Sequence, residues 1–311
     1  MDAIRAARLT RVYPQAPPGV RALDDLSLTV PSGRVFGLIG RNGAGKTTFI
    51  RIAATQLEPT AGQIEILGHD VMTQTDQVRA RIACVPQESR PLYFLTVEEA
   101  IRLNLGLRGM SRALARSRTQ EVLGELSLTE LATRSISRLS GGQRRRVMVA
   151  MVLATEAELI FLDEPTTGLD PIARREVWGA IRRATREGRT TLLTTHYLDE
   201  AETLSSRLAL IERGRLVLEG TPQDLRGRVR SPYRVTVEGS FSLEELRSFG
   251  TARAIEPGFL VFASEANARA LAQEALRRGA RVAFGPVDLE DIFLEVVGRR
   301  IEDDREEAVA A

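Results

Sequence analysis

The chain has 311 residues, 43% of them hydrophobic and 27% charged, with 43 basic against 41 acidic side chains and a formal net charge of +2. That length suits two domains and a sizeable core, and the balanced charge makes no electrostatic case for a nucleic-acid partner. The single cysteine, Cys84, excludes an internal disulfide and fits a reducing compartment. The longest apolar run, VMVAMVLA at 147–154, is far short of the roughly 18 residues that cross a bilayer.

The N-terminus MDAIRAARLTRVYP shows no apolar core of a signal peptide, so none is expected. Residues 7–30 read as strand-like pieces broken by the loop YPQAPPGV. RVFGLIG (34–40) is a short buried strand that ends in glycine, and a helix over 46–57 follows a glycine-rich loop. QIEILG (63–68) and ARIACVPQE (80–88) each give a further strand. Residues 97–133 are helix-rich and amphipathic. LIFLDEP (159–165) is an apolar strand that meets two acids, and TTLLTTH (190–196) is a β-branched strand that ends in His196. The pattern predicts a mainly parallel α/β sheet with a helical insert at about 88–150.

Near residue 229 the character changes to short strands, RVTVEG, ARAIEP, FLVFAS and ARVAFG, with helices at 242–248 and 265–278. Residues 1–228 therefore read as one α/β domain and 229–300 as a small α+β domain, with a charged, frayed tail at 301–311.

GRNGAGKTT spans Gly40, Arg41, Asn42, Gly43, Ala44, Gly45, Lys46, Thr47 and Thr48. Glycines let the backbone wrap a phosphate with its N–H groups inward, and the next helix adds its positive end. GRNGAGKT fits G-x-x-x-x-G-K-[ST], in which Lys46 would reach the β- and γ-phosphates and the Thr47 hydroxyl would serve Mg²⁺; the alternative is a glycine-rich strand–helix turn with no ligand. Lys46 is the one lysine among 43 basic residues. A slender ammonium fits between phosphates as a point charge, whereas a planar guanidinium needs a different loop.

Asp163 and Glu164 stand at the carboxyl end of their strand, the edge where ligands gather in open α/β sheets. Asp163 suits Mg²⁺ through water, and Glu164 suits activation of an attacking water. LSGGQRRR (139–146) opens a helix capped by Ser140, whose N-terminus also suits phosphate. His69 reads as a surface turn residue, Cys84 as a small buried apolar one. Arg144 to Arg146 read as a solvated face or local ion pairs, and Trp178 as core or interface packing.

A glycine-rich phosphate loop, VPQ, LSGGQ, LIFLDEP, GLD and a histidine after a strand, in that order, resemble the ATP-binding cassette (ABC) family over about residues 4–225. The resemblance implies the P-loop NTPase fold of that family, with a helical subdomain, and two copies packed head to tail around two ATP. Ser140, Gly141, Gly142 and Gln143 would then serve the partner copy's ATP. Gln87 would sense Mg²⁺, water and the membrane subunit. Asp170 would connect the two sites, His196 would contact the γ-phosphate, and Glu164 would be the general base. Tyr13 lies where the family keeps an aromatic that stacks on adenine. PVDLEDIFLEVVGR (286–299) is similar to the ending of cassette subunits of bacterial exporters of drugs and polysaccharides, and also reads as an amphipathic helix packed on the small sheet.

The resemblance implies an ATP-hydrolysing motor, using ATP and Mg²⁺, on the cytoplasmic face of the cell membrane. It would drive a separate integral membrane permease, with no nucleic acid involved. The competing class, a non-transport ABC ATPase on ribosomes or nucleic acid, usually carries two cassettes or a long coiled coil, and this chain has one signature and no sustained heptads. A third, a sensor that binds ATP with little turnover, is opposed by the presence of both Glu164 and His196. The apolar cluster Leu92, Tyr93 and Phe94 is expected either to dock the permease or to cover the insert's own core.

Overall fold

The computed structural model describes residues 2–14, 19–85, 92–227 and 231–297. The chain divides into two compact units, Met1–Glu219 and Gly220–Ala311. The first runs β1 (Asp2–Tyr13), β2 (Val20–Pro31), β3 (Val35–Ile39), α1 (Lys46–Ala53), β4 (Ala61–Ile66), β5 (His69–Asp70), α2 (Thr75–Arg81) and β6 (Ile82–Val85). It continues with α3 (Val97–Leu107), α4 (Arg112–Glu125), α5 (Gly141–Leu153), β7 (Leu159–Asp163), α6 (Pro171–Arg186), β8 (Thr190–Thr195), α7 (Leu198–Leu204), β9 (Arg207–Glu212) and β10 (Arg215–Gly220).

These strands form two sheets where the sequence suggests one. The six-stranded sheet has the order β10-β9-β3-β8-β7-β6, and its pairs β3–β8, β3–β9, β7–β8 and β6–β7 are parallel. Every residue of β3, β7 and β8 is buried, which is why these segments read as unbroken apolar or β-branched runs. The other sheet, β2-β1-β4-β5, is antiparallel: Ile4 faces Val30 on one side and Ile66 on the other. Its strands alternate instead, with Leu26, Leu28 and Val30 inward and Ser27 and Thr29 outward. His69 closes the two-residue turn Leu67–Gly68, paired with Ile66 and half-buried, so it is a turn residue but not a fully exposed one.

The pleat of the parallel sheet feeds two cores. Phe36, Leu38, Phe161 and Leu192 pack with Phe49, Ile50 and Ile52 of α1 and with the antiparallel sheet. Ile160, Leu162 and Leu193 face the opposite way, into a core shared with α3, α4, α5 and α6. Phe36, Phe49 and Phe161 are fully buried, each contributing about 1.5–3 kcal/mol.

The helix predicted over 46–57 stops at Ala53. Thr55 takes a left-handed φ of 59°, its N–H bonds to Ile52 O at 3.0 Å, and the Gln56 N–H bonds to Arg51 O at 2.8 Å. That is a helix-ending turn usually built on glycine. Here Arg79 holds the threonine in place through its Oγ1, at 2.8 Å.

The second unit runs α8 (Pro222–Arg226), β11 (Tyr233–Glu238), α9 (Leu243–Arg247), β12 (Thr251–Ala254), β13 (Phe259–Ala263), α10 (Glu265–Arg277), β14 (Arg281–Pro286) and α11 (Leu289–Val297). Its sheet, β12-β13-β11-β14, is antiparallel, and Val235, Val237 and Val261 pack on Leu246, Ala268, Leu271 and Ala275 of α9 and α10. In DLED, Asp288 and Asp291 cap each other's backbone N–H at 3.0 Å, and both take Arg234 Nη1 of β11. The tail at 301–311 lies outside the described residues.

Candidate functional site

Parallel pairing fixes the site. Ile39 of β3 lies opposite Thr195 of β8, and Asp163 of β7 lies opposite Thr194. The loops that leave β3, β7 and β8 therefore emerge side by side at one edge, bringing Gly40, Asp163, Glu164 and His196 together.

The loop after β3 turns at Gly43 (φ 77°) and Gly45 (φ 108°). A Cβ on Gly45 would collide with Ala22 O and lie 2.9 Å from Leu23, so glycine is demanded there by space and by backbone. Lys46 is 5% exposed, and its Nζ donates to Gly40 O at 2.8 Å and Arg41 O at 3.0 Å, folding back over the loop. Thr47 and Thr48 are half-buried in the first turn of α1. That turn carries no acid and its N-cap, Gly45, supplies no side chain, so its positive end is left for an anion.

Asp163 is 1% exposed. Its Oδ1 accepts from Thr194 Oγ1 at 2.5 Å. Its Oδ2 is buried and has no hydrogen-bond partner among the described residues. A buried carboxylate oxygen without a donor suits a cation or its water, so the donor set of Asp163 and Thr47 fits Mg²⁺.

Glu164 takes a left-handed φ of 51°, uncommon for a non-glycine residue and costing about 1–3 kcal/mol. Three groups hold it there. Its N–H donates to Thr194 O and Oγ1, both at 3.1 Å, and Arg145 donates to its carbonyl at 2.8 Å. The same Arg145 Nη2 donates to Asp163 O. The residue is 7% exposed, with Oε1 3.3 Å from His196 Nδ1 and Oε2 accepting from Thr167 Oγ1 at 3.2 Å. Burial pushes this carboxyl up, but His196, the Lys46 charge and Thr167 together outweigh it and leave it below the ordinary carboxylate range. Glu164 is therefore ionised at neutral pH and able to take a proton.

Ser140 caps α5: its Oγ accepts from Gln143 N at 3.2 Å, while Gln143 Oε1 accepts from Ser140 N at 3.0 Å. Ser140 and Gly141 are exposed. A Cβ on Gly142 would lie 3.1 Å from Gly168 O, so the start of α5 packs against the loop leading to Asp170. Asp170 is exposed, and Oδ1 accepts from Ile172 N at 3.0 Å and Ala173 N at 2.9 Å. The Ala173 bond, then the Ile172 bond, lower its carboxyl. Tyr13 ends β1, half-buried, with the Arg11 guanidinium 5.0 Å from its ring centre. It pairs with Val20, two residues along β2 from the Ala22 carbonyl that abuts Gly45. Gln87 lies outside the described residues.

Two readings of single residues change. Arg145 is not on a solvated face but half-buried, donating to the Asp163 and Glu164 carbonyls, and Arg146 makes an ion pair with Glu176 at 2.8 Å. The Trp178 indole is more than packing, because Nε1 donates to Glu200 at 2.8 Å. Cys84 is half-buried on β6, its thiol pushed up to about 12 by burial and then by the Asp163 charge. Leu92, Tyr93 and Phe94 are 49%, 42% and 79% exposed, so they do not cover the core of the helical insert.

Residues 23–167 match the family model described as ABC transporter. The chain is 43% identical over 229 residues to the daunorubicin/doxorubicin resistance ATP-binding protein DrrA of Streptomyces peucetius, covering 74% of this chain and 68% of that protein. It is 36% identical over 285 residues to the Nod factor export ATP-binding protein I of Cupriavidus metallidurans, covering 90% and 94%. A dimeric ATP-binding cassette in a post-hydrolysis state, bound to ADP and phosphate, superposes with a TM-score of 0.66 at 25% identity, covering 70% of this chain and 98% of that one. The loop, acids and histidine gathered at one sheet edge thus sit in a chain that belongs to the ABC transporter family, as an ATP-binding, ATP-hydrolysing subunit.

Proposed function

We propose that the chain is the motor of an exporter, dimerising head to tail around two ATP and driving a separate integral membrane permease from the cytoplasmic face of the membrane. The convergence of Lys46, Asp163, Glu164 and His196 carries this reading. The loop Gly40–Thr48 holds the phosphates through its N–H groups, and Lys46 swings from the Gly40 and Arg41 carbonyls to the β- and γ-phosphates. Thr47, Asp163 and Gln87 would hold Mg²⁺, which when bound would offset the charge on the transferring phosphoryl group. Glu164 accepts the proton of the attacking water at a carboxylate oxygen. His196, 3.3 Å from it, orients that carboxylate and reaches the γ-phosphate.

Ser140, Gly141, Gly142 and Gln143 close the partner copy's ATP. The exposure of Ser140 and Gly141, and the open space a Cβ on Gly141 would meet, support this. Asp170 connects the two sites, and Tyr13 stacks on adenine. Exposed Leu92, Tyr93 and Phe94 form the surface that meets the permease. Export is supported by the two relatives named for drug resistance and Nod factor export. Residues 229–300 form an accessory domain of the motor.

Glu164→Gln tests the site. It removes the base and leaves the phosphate loop intact. Hydrolysis should fall by at least ~100-fold, and Mg²⁺·ATP should then hold the variant as a dimer in size-exclusion chromatography. Hydrolysis at the wild-type rate would remove Glu164 from its role.

A further inference from the structure

Glu200 lies on α7, four residues after His196, and is fully buried. Its Oε1 accepts two hydrogen bonds, from Thr166 Oγ1 and from Trp178 Nε1, each at 2.8 Å. Thr166 stands two residues after Glu164, in the loop that leaves β7. Trp178 is on α6, the helix that Asp170 caps. One carboxylate thus ties together the loop of the base, the helix behind Asp170 and the turn that carries His196. A second tie runs parallel to it: the Arg174 guanidinium of α6 lies 4.6 Å from the Tyr197 ring centre and 3.6 Å from Asp199.

The fold alone does not ask for an acid here. Burial raises the Glu200 carboxyl against the hydroxyls of Thr195 and Thr166 and the indole of Trp178, which favour its charge. An apolar residue of similar volume would avoid that penalty. What an apolar residue cannot do is fix the Thr166 hydroxyl and the indole N–H at one point.

We infer that Glu200 is a positioning residue for ATP hydrolysis: by clamping Thr166 and Trp178 it sets the loop of Glu164 and the helix of Asp170 in register with His196. This rests on the roles given above to Glu164 and His196. Trp178 is the chain's one tryptophan, so its fluorescence reports on the joint directly.

The test compares Glu200→Ala, Glu200→Gln, Thr166→Val and Trp178→Phe in the full chain, with kcat per folded molecule, KM for ATP and, in the variants that keep Trp178, its emission with and without Mg²⁺·ATP. A loosened site should lower kcat of Glu200→Ala by ~30–100-fold with KM changed less than about threefold, because misplacement by an ångström costs about that much. Thr166→Val and Trp178→Phe each remove one bond and should lower kcat by about 3–10-fold. Glu200→Gln keeps the accepting oxygen and should restore most of the rate. Mg²⁺·ATP should shift Trp178 emission in the wild type and not in Glu200→Ala. Unchanged kcat per folded molecule, with only a lower melting temperature, would show a merely structural acid and overturn the inference. Should Glu200→Ala not fold, the two single-bond variants decide on the same criterion. Glu164→Gln runs alongside: wild-type turnover there sinks the site reading itself, whereas its loss beside unaffected clamp variants sinks only this inference.

Discussion

Replacing Arg145 with methionine removes the guanidinium and keeps a chain of similar reach. Its Nη2 serves two carbonyls, Asp163 O and, at 2.8 Å, Glu164 O. Leaving a buried acceptor unpaired costs about 1–3 kcal/mol, so the pair gives about 2–6 kcal/mol. Two terms offset this. The left-handed Glu164 backbone, φ 51°, relaxes once its clamp is gone and returns about 1–2 kcal/mol. Burial lowers the pKa of the Arg145 guanidinium against the charges of Asp163 and Glu164, so its desolvation penalty is also recovered. A net loss of about 1–3 kcal/mol remains, worth about 2–12 °C in melting temperature for a unit of this size. Thermal unfolding by circular dichroism measures it. Relaxation of Glu164 also moves the proposed base, so kcat should fall by ~10–100-fold with the Gly40–Thr48 loop unaffected. A melting temperature within about 2 °C of wild type, with kcat within about twofold, would refute the claim that Arg145 holds these acids in place.

Other outcomes follow from the same geometry. Lys46→Arg puts a wide guanidinium into a site 5% exposed, and ATP affinity by calorimetry should fall at least ~100-fold while the nucleotide-free melting temperature stays close to wild type. Phe161→Ala empties a fully buried position between α1 and the sheet and should cost about 3–5 kcal/mol in urea unfolding; less than about 1 kcal/mol would mean the core refills. Arg81 beside Glu158, at 2.6 Å, holds that carboxyl below its ordinary 4.5. The pair's stabilisation is therefore fully present above that value and is lost as pH falls through the lowered one. Glu158→Gln should flatten the acid limb of urea midpoint against pH, and an unchanged slope would show that the pair does not couple.

The phosphate loop, the two acids and His196 were legible because each is local: a glycine turn or an acid at the end of an apolar strand announces itself within ten residues. The antiparallel sheet was not, because β4 finds β1 across about sixty residues and its alternation looks like any strand's. Arg145 was hidden for a different reason. Buried residues occur all round α5 beyond its first turn, so no polar face sorts three consecutive arginines. The usable signal was that a charge entering such a helix must find partners. Glu200 and Trp178 meet only when α6 packs beside α7, a contact that neither segment specifies alone.

The most direct test is to tag the protein in its host, trap it with Mg²⁺ and vanadate, extract it gently in detergent, and identify by mass spectrometry what copurifies. The account predicts a stoichiometric polytopic membrane protein, retained with two copies of this chain. A soluble ribosomal or nucleic-acid complex, or the chain alone with full ATPase activity, would contradict the coupling of this site to a permease.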